Sequence, residues 1–137
     1  SQVPGVTFTS PEVGHVGLTQ REAERQLGAA KVKVVSRKLR DVDRAVMSGT
    51  DQHGFIQFVL SAENAILGAT VMAPTAGELI SEVGLAMHKK MRLPDLTLVM
   101  HAYPTYALPV QVMASELYYE ELKRSKRLFA FLKRIGL

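Results

Sequence analysis

The chain has no cysteine and no tryptophan among its 137 residues. The missing cysteine excludes a disulfide framework, a thiolate metal site and a cysteine nucleophile within this stretch. A chain without disulfides suits the cytoplasm, and that compartment is the expectation. No apolar run approaches the roughly 18 residues that span a bilayer, and no leader peptide stands at the start. Ser1 in place of Met reads as a chain processed or excised from something longer. There is no internal repeat, low-complexity stretch or long linker. What remains is an ordinary globular composition, 47% apolar and 22% charged, of a length that suits one domain and buries roughly two-thirds of its unfolded surface.

Charge is scarce in net terms and unevenly placed. The formal net charge is +4. From Glu120 onward stand Lys123, Arg124, Lys126, Arg127, Lys133 and Arg134 against only Glu120 and Glu121, so that segment carries the whole excess. The chain therefore divides into a balanced domain over 1–119 and a basic helical extension over 120–137.

Along the domain, Val6 to Thr9 is a short β-rich run closed by Ser10-Pro11, and Val13 to Leu18 is an irregular second strand. Thr19 to Glu22 has the spacing of a capping box, with a helix to follow and stop near Gly28. Lys31 to Leu39 is β-like. Phe55 to Leu60 and Ala65 to Ala73 form a hairpin across Ser61-Ala62-Glu63-Asn64. Gly54 and Gly68 mark bends or close packing within it. Thr75 to Glu78 reads as a second capping box. Its helix aligns Ile80, Val83, Gly84, Met87 and Met91 on one stripe. Leu96 to Met100 is a short helix or strand. A last long helix starts near Pro109 and runs past Leu122. Strand, helix, strand, hairpin, helix, helix spells an α+β fold, an antiparallel sheet flanked by helices.

Few residues have the spacing of a catalytic or metal site. His15, His53 and His88 lack metal-ligand spacing and read as solvated or core histidines. Glu78 and Glu12 read as cap and turn residues. Met72, Met87, Met91, Met100 and Met113 read as core or interface filler.

Four segments carry a resemblance. They are Val6 to Val13 with Val16-Gly17-Leu18-Thr19, then Arg44-Ala45 with Gly54 to Val59. The third is Ile66-Leu67-Gly68-Ala69 leading to Pro74 through Ile80, and the fourth is His101-Ala102-Tyr103-Pro104-Thr105. In order and spacing, from about Val3 to about Glu116, they resemble the C-terminal dimerisation domain of the pyridine nucleotide-disulfide oxidoreductases. The fourth segment is similar to that family's His-x-His-Pro-Thr signature.

The resemblance implies an interface domain of a homodimeric oxidoreductase that uses FAD and NAD(P)H. The flavin and nucleotide domains would lie upstream, and the fragment would be inactive and cofactor-free by itself. It also implies that His101, Ala102, Pro104 and Thr105 lie at the flavin of the partner subunit, largely through main-chain groups. Tyr103 stands where the family's disulfide reductases have their acid/base histidine, and Leu108 where they have its orienting glutamate. A phenol titrates near 10 and is a poor base at neutral pH. The two departures argue against a glutathione- or lipoamide-type disulfide and lean toward the mercuric-reductase-like branch. The acceptor is left open among a metal ion, a quinone or another small oxidant. Tyr103 reads equally as a tyrosine packed at the subunit seam, and the His101 side chain as that of a helix-end or core histidine.

Two other functions compete with the interface domain: a free-standing homodimeric binding module without redox activity, and a module held to a surface by its tail. Lys123 to Arg127, followed by Leu128, Phe129, Phe131, Leu132 and Ile135, has the pattern of a basic amphipathic helix. The solvated face of a packing helix is the favoured reading. A membrane surface comes second, and nucleic acid last, because no aromatic platform separates the basic clusters.

Overall fold

A computed structural model describes residues 3–134, with the side chains of 131–133 left aside. Five strands form one antiparallel sheet: β1 (Gly5–Thr7), β2 (Glu12–Gly17), β3 (Val32–Lys38), β4 (Phe55–Ser61) and β5 (Ile66–Ala73). Their spatial order is β1-β2-β5-β4-β3. The helices are α1 (Gln20–Leu27), α2 (Asp43–Met47), α3 (Ala76–His88) and α4 (Leu108–Arg134), with 3-10 turns at Ala29–Lys31, Leu39–Asp41 and Leu93–Leu98. This is the α+β architecture expected from the sequence, in which apolar alternation on a sheet must be buried by amphipathic helices.

Strand alternation decides which face is covered. Val16, Ala69, Val71, Ile56 and Phe58 share one face and are wholly buried. Helix α3 closes over that face: a Cβ on Gly14 would lie 3.0 Å from the Ala76 carbonyl and 3.2 Å from the Ile80 Cβ. The stripe read from the sequence is the buried side of α3, with Ile80 and Val83 fully inside and Met87 nearly so. Gly84 within it leaves room for Pro4, whose Cγ would be 3.3 Å from an added Cβ. On β3 the face turned to the core is that of Val35, which pairs with Phe58.

The hairpin turns at Asn64 in the left-handed region (φ 64°), which asparagine tolerates. Gly54 and Gly68 do mark close packing, each leaving no space for a side chain. The first capping box is present. Thr19 Oγ1 accepts the Glu22 amide at 3.3 Å, and the Glu22 carboxylate accepts the Thr19 amide at 2.8 Å.

Two expectations need correction. The second capping box does not form: Thr75 makes no side-chain cap, and the amide of Gly77 donates instead to Glu12 Oε2 at 3.0 Å. Pairing of Glu12 with Ala73 brings that carboxylate beside the first turn of α3, so Glu12 rather than Thr75 supplies the acceptor for a first-turn amide. Of the two readings for Leu96 to Met100, the short helix holds as far as Leu98: Leu93–Leu98 is a 3-10 segment anchored by buried Leu93, Pro94 and Leu96. The basic tail is not the solvated side of a packing helix within this chain. Helix α4 runs unbroken through 119 and 120, but every residue from Leu122 to Ala130 is exposed. Ile135 lies outside the described residues. Of the methionines read as core or interface filler, Met87 and Met113 are core, and Met100, 86% exposed, keeps only the interface reading.

Candidate functional site: the turn between the 3-10 segment and α4

The residues that resemble the family signature form a turn between Leu98 and α4. Its base is fixed and its apex is open. Gln111, one turn into α4, accepts the His101 amide at 3.1 Å and donates to the Thr97 carbonyl at 3.3 Å, stapling the entering segment to the helix. Thr105 ties the leaving side: its hydroxyl donates to the Ala102 carbonyl at 2.7 Å and accepts the Leu108 amide at 3.1 Å. Tyr106 anchors the turn to the body through a 2.6 Å hydroxyl contact with Thr50. The Tyr103–Pro104 peptide is cis.

His101 points inward. Its ring is 6% exposed, with Nδ1 2.8 Å from the Val99 carbonyl and Nε2 2.7 Å from Glu82 Oε1 on α3. Both partners accept, so the ring satisfies both only when each nitrogen carries hydrogen. The histidine side chain is therefore a structural clamp.

Tyr103 points outward, 67% exposed. A hydrogen bond to the Asp43 carboxylate on α2, and the charge of that carboxylate, raise its pKa above the ordinary phenol value. At neutral pH Tyr103 is thus a hydroxyl donor and a still poorer base than a free phenol. Because the folded-state value lies above the unfolded one, this contribution is complete below pH ~10 and fades as pH rises through the folded value. In a phenolate absorbance titration, Asp43→Asn is expected to move the Tyr103 step to lower pH, and Tyr103→Phe to delete it. A step unmoved by Asp43→Asn would show that the carboxylate does not act on Tyr103.

Leu108, half-buried, lines a small cleft of about 190 Å³ with Asp43, Arg44 and Pro104. A second, open cleft of about 550 Å³ lies on the other side of Pro104, between Arg44, Glu78, Glu82 and Tyr106. Arg44 borders both. The structure thus brings His101, Ala102, Tyr103, Pro104 and Thr105 into one turn and puts Leu108 at its foot. Sequence reasoning missed Glu82, Asp43 and Gln111, which hold the turn or face it. No motif announces them, since each comes from a different helix. The other histidines lie elsewhere: His15 bonds Thr70 Oγ1 (2.9 Å) and the Gly17 carbonyl (3.1 Å) on the sheet, while His53 and His88 are exposed.

An open five-stranded antiparallel sheet, roofed by α3 and followed by a clamped turn and a long helix, defines an α+β domain. Residues 3–114 match the family model described as pyridine nucleotide-disulphide oxidoreductase, dimerisation domain, and the chain belongs to that family. It is similar to the dihydrolipoyl dehydrogenase of Chlamydia muridarum, 41% identical over 109 residues that cover 78% of this chain and 23% of that protein. The dihydrolipoyl dehydrogenase of Thermus scotoductus is 40% identical over 105 residues, covering 76% of this chain and 22% of its own length. Among solved structures, LpdA from Mycobacterium tuberculosis superposes with a TM-score of 0.76 at 27% identity, over 85% of this chain and 25% of that one. The copper(II) complex of the HOCl-induced flavoprotein disulfide reductase RclA from Escherichia coli shares the fold at TM-score 0.76 and 21% identity, over 83% and 25%. The chain spans about a quarter of the length of the relatives it matches.

Proposed function

We propose that this chain is the subunit-contact domain of an FAD- and NAD(P)H-dependent oxidoreductase. In this reading it pairs with a second copy of itself and presents the His101–Thr105 turn to the partner's flavin. The observation that carries it is a rim of exposed apolar side chains on an otherwise clamped turn. Leu98 is 87% exposed, Met100 86% and Tyr103 67%, beside a sheet whose helix-covered face is sealed. Such a patch in one place on a soluble surface marks an interaction site.

The residues fit a flavin in one specific way. Both ring nitrogens of His101 are engaged internally, so the ring has nothing to give, while Ala102 and Tyr103 at the apex are exposed and would meet the flavin there. A bound flavin would supply electron transfer from the nicotinamide to the acceptor. This chain's part is to hold the turn still and to exclude water by pairing its apolar rim. Tyr103 can donate a hydrogen bond or stack, and Leu108 cannot orient an acid/base group. The lean toward a mercuric-reductase-like acceptor rests on those two positions, against relatives that are dihydrolipoyl dehydrogenases. The flavin and nucleotide domains would be upstream parts of the same protein, and the chain alone is expected to be inactive. No described helix is long and apolar enough to cross a membrane, and the cytoplasm is the proposed compartment.

Sedimentation velocity over a concentration series tests the pairing. The chain is expected to dimerise, and the doubly substituted Leu98→Glu, Met100→Glu chain to stay folded and monomeric. Neither side chain is buried, so neither substitution opens a cavity. A wild-type chain that remains monomeric throughout would remove the basis for the proposal.

A further inference from the structure

Helix α4 outruns the domain on which it packs. Its buried stripe is Val110, Met113, Ala114 and Leu117. Each acid of the next turns is then taken up by the domain. Glu116 pairs with Arg37 and Glu120 with Lys33 at 3.4 Å, while Glu121 accepts from Arg92 at 3.1 Å and from the Asn64 amide at 2.8 Å. These pairings spend the helix's acids on holding its first half down. Beyond Glu121 the helix is bare. Among the described residues no carboxylate pairs with Lys123, Arg124, Lys126 or Arg127. Leu128 and Phe129 stand 58% and 72% exposed in the same stretch. Leu128 lies eleven residues beyond Leu117, three helical turns on, so it continues the core-facing stripe to where there is no core. The sequence goes on with Phe131, Leu132, Lys133 and Arg134.

We propose that this extension, from Leu122 onward, is a docking surface for an anionic lipid membrane. The helix would lie in the plane of the interface, with Leu128 and Phe129 in the acyl boundary and the cations among the phosphates. The charge pattern selects this occupant. A second copy of the same helix would bring like charges together. A nucleic acid would use the cations and leave the Leu128 and Phe129 side chains in water. A lipid surface satisfies both at once. The segment also lies beyond the residues matched by the family model, which ends at residue 114, so the dimerisation fold does not require it.

Flotation of the full chain with vesicles decides the matter. The chain is expected to float with phosphatidylcholine vesicles containing roughly a third phosphatidylglycerol and not with phosphatidylcholine alone. Lys126→Ala with Arg127→Ala is expected to weaken partitioning roughly thirtyfold, about fivefold per charge. Leu128→Ser with Phe129→Ser is expected to weaken it about tenfold or more. All four positions are exposed, and unchanged circular dichroism and sedimentation would show that the fold is intact. Three results would overturn the proposal: no flotation with anionic vesicles, equal flotation with neutral ones, or full retention by the Leu128→Ser, Phe129→Ser chain with equally salt-sensitive binding to duplex DNA. The last would identify a general polyanion site.

Discussion

Gly68→Ala is expected to destabilise the domain by about 3 kcal/mol or more, lowering Tm by ~10 °C. Gly68 sits on β5 opposite Gly17 of β2 and Val59 of β4. Past Gly17, which turns at φ 78°, the chain crosses directly over Gly68, and the Leu18 amide donates to the Leu67 carbonyl at 2.9 Å. A Cβ on Gly68 would overlap the Leu18 carbonyl oxygen and lie 2.6 Å from the Leu18 nitrogen and 2.9 Å from its carbonyl carbon. All three obstacles are backbone, so no rotamer change relieves them. The chain must instead lift off β5, loosening the β2–β5 pairing that keeps Val16 wholly buried. Gly5→Ala is the control: an added Cβ meets nothing within 4 Å, and stability is expected to stay within ~0.5 kcal/mol. Urea and thermal unfolding of both variants measure the difference. Equal stabilities would mean that the Leu18 crossing gives way at little cost.

The same glycine shows how far the sequence can be read. Gly68 in an apolar strand signals close approach, but its partner, Leu18, lies fifty residues away and no local pattern names it. Periodicity was enough for the hairpin and for the buried side of α3, because both follow from short-range repeats of 2.0 and 3.6 residues. It failed at Thr75, where the capping-box spacing is right but a tertiary competitor, Glu12, reaches the helix start from β2. It missed α2, a five-residue helix too short to show a stripe. The turn itself was legible because its chemistry is contiguous, from His101 to Thr105. Its supports were not, since Glu82, Asp43 and Gln111 are set by helix placement. The basic tail and its charge balance were legible as a pattern, but the partners of the helix's acids were not. Only the structure shows that Glu116, Glu120 and Glu121 are consumed by Arg37, Lys33 and Arg92.

Glu82→Ala is the substitution expected to reach the turn most strongly from outside it. Glu82 is 30% exposed on α3, while the imidazole it meets is 6% exposed. Removing the carboxylate leaves His101 Nε2 inside the protein without a partner, and Nδ1 remains committed to the Val99 carbonyl. Losing one side of a mostly buried charge-assisted bond costs about 2–3 kcal/mol. The ring can recover solvation only by swinging out, which carries Ala102 and Tyr103 with it, because the His101 amide is stapled to Gln111 on one side and Thr105 holds Ala102 on the other. Amide exchange at residues 101–105 is therefore expected to accelerate by more than the global loss of stability explains, while the sheet follows global unfolding. Glu82→Gln keeps a carbonyl acceptor and is expected to lose about 1 kcal/mol with a smaller change at the turn. Ser81→Ala, on an exposed residue whose hydroxyl donates to the Gly77 carbonyl, is expected to change neither. If exchange at the turn rises only in step with global unfolding in Glu82→Ala, then Gln111 and Thr105 suffice to hold the turn and the His101–Glu82 pair serves the domain as a whole. If it rises selectively, α3 governs how firmly this turn is held, and a substitution on the sheet's roof would alter the turn's exposed surface without touching it.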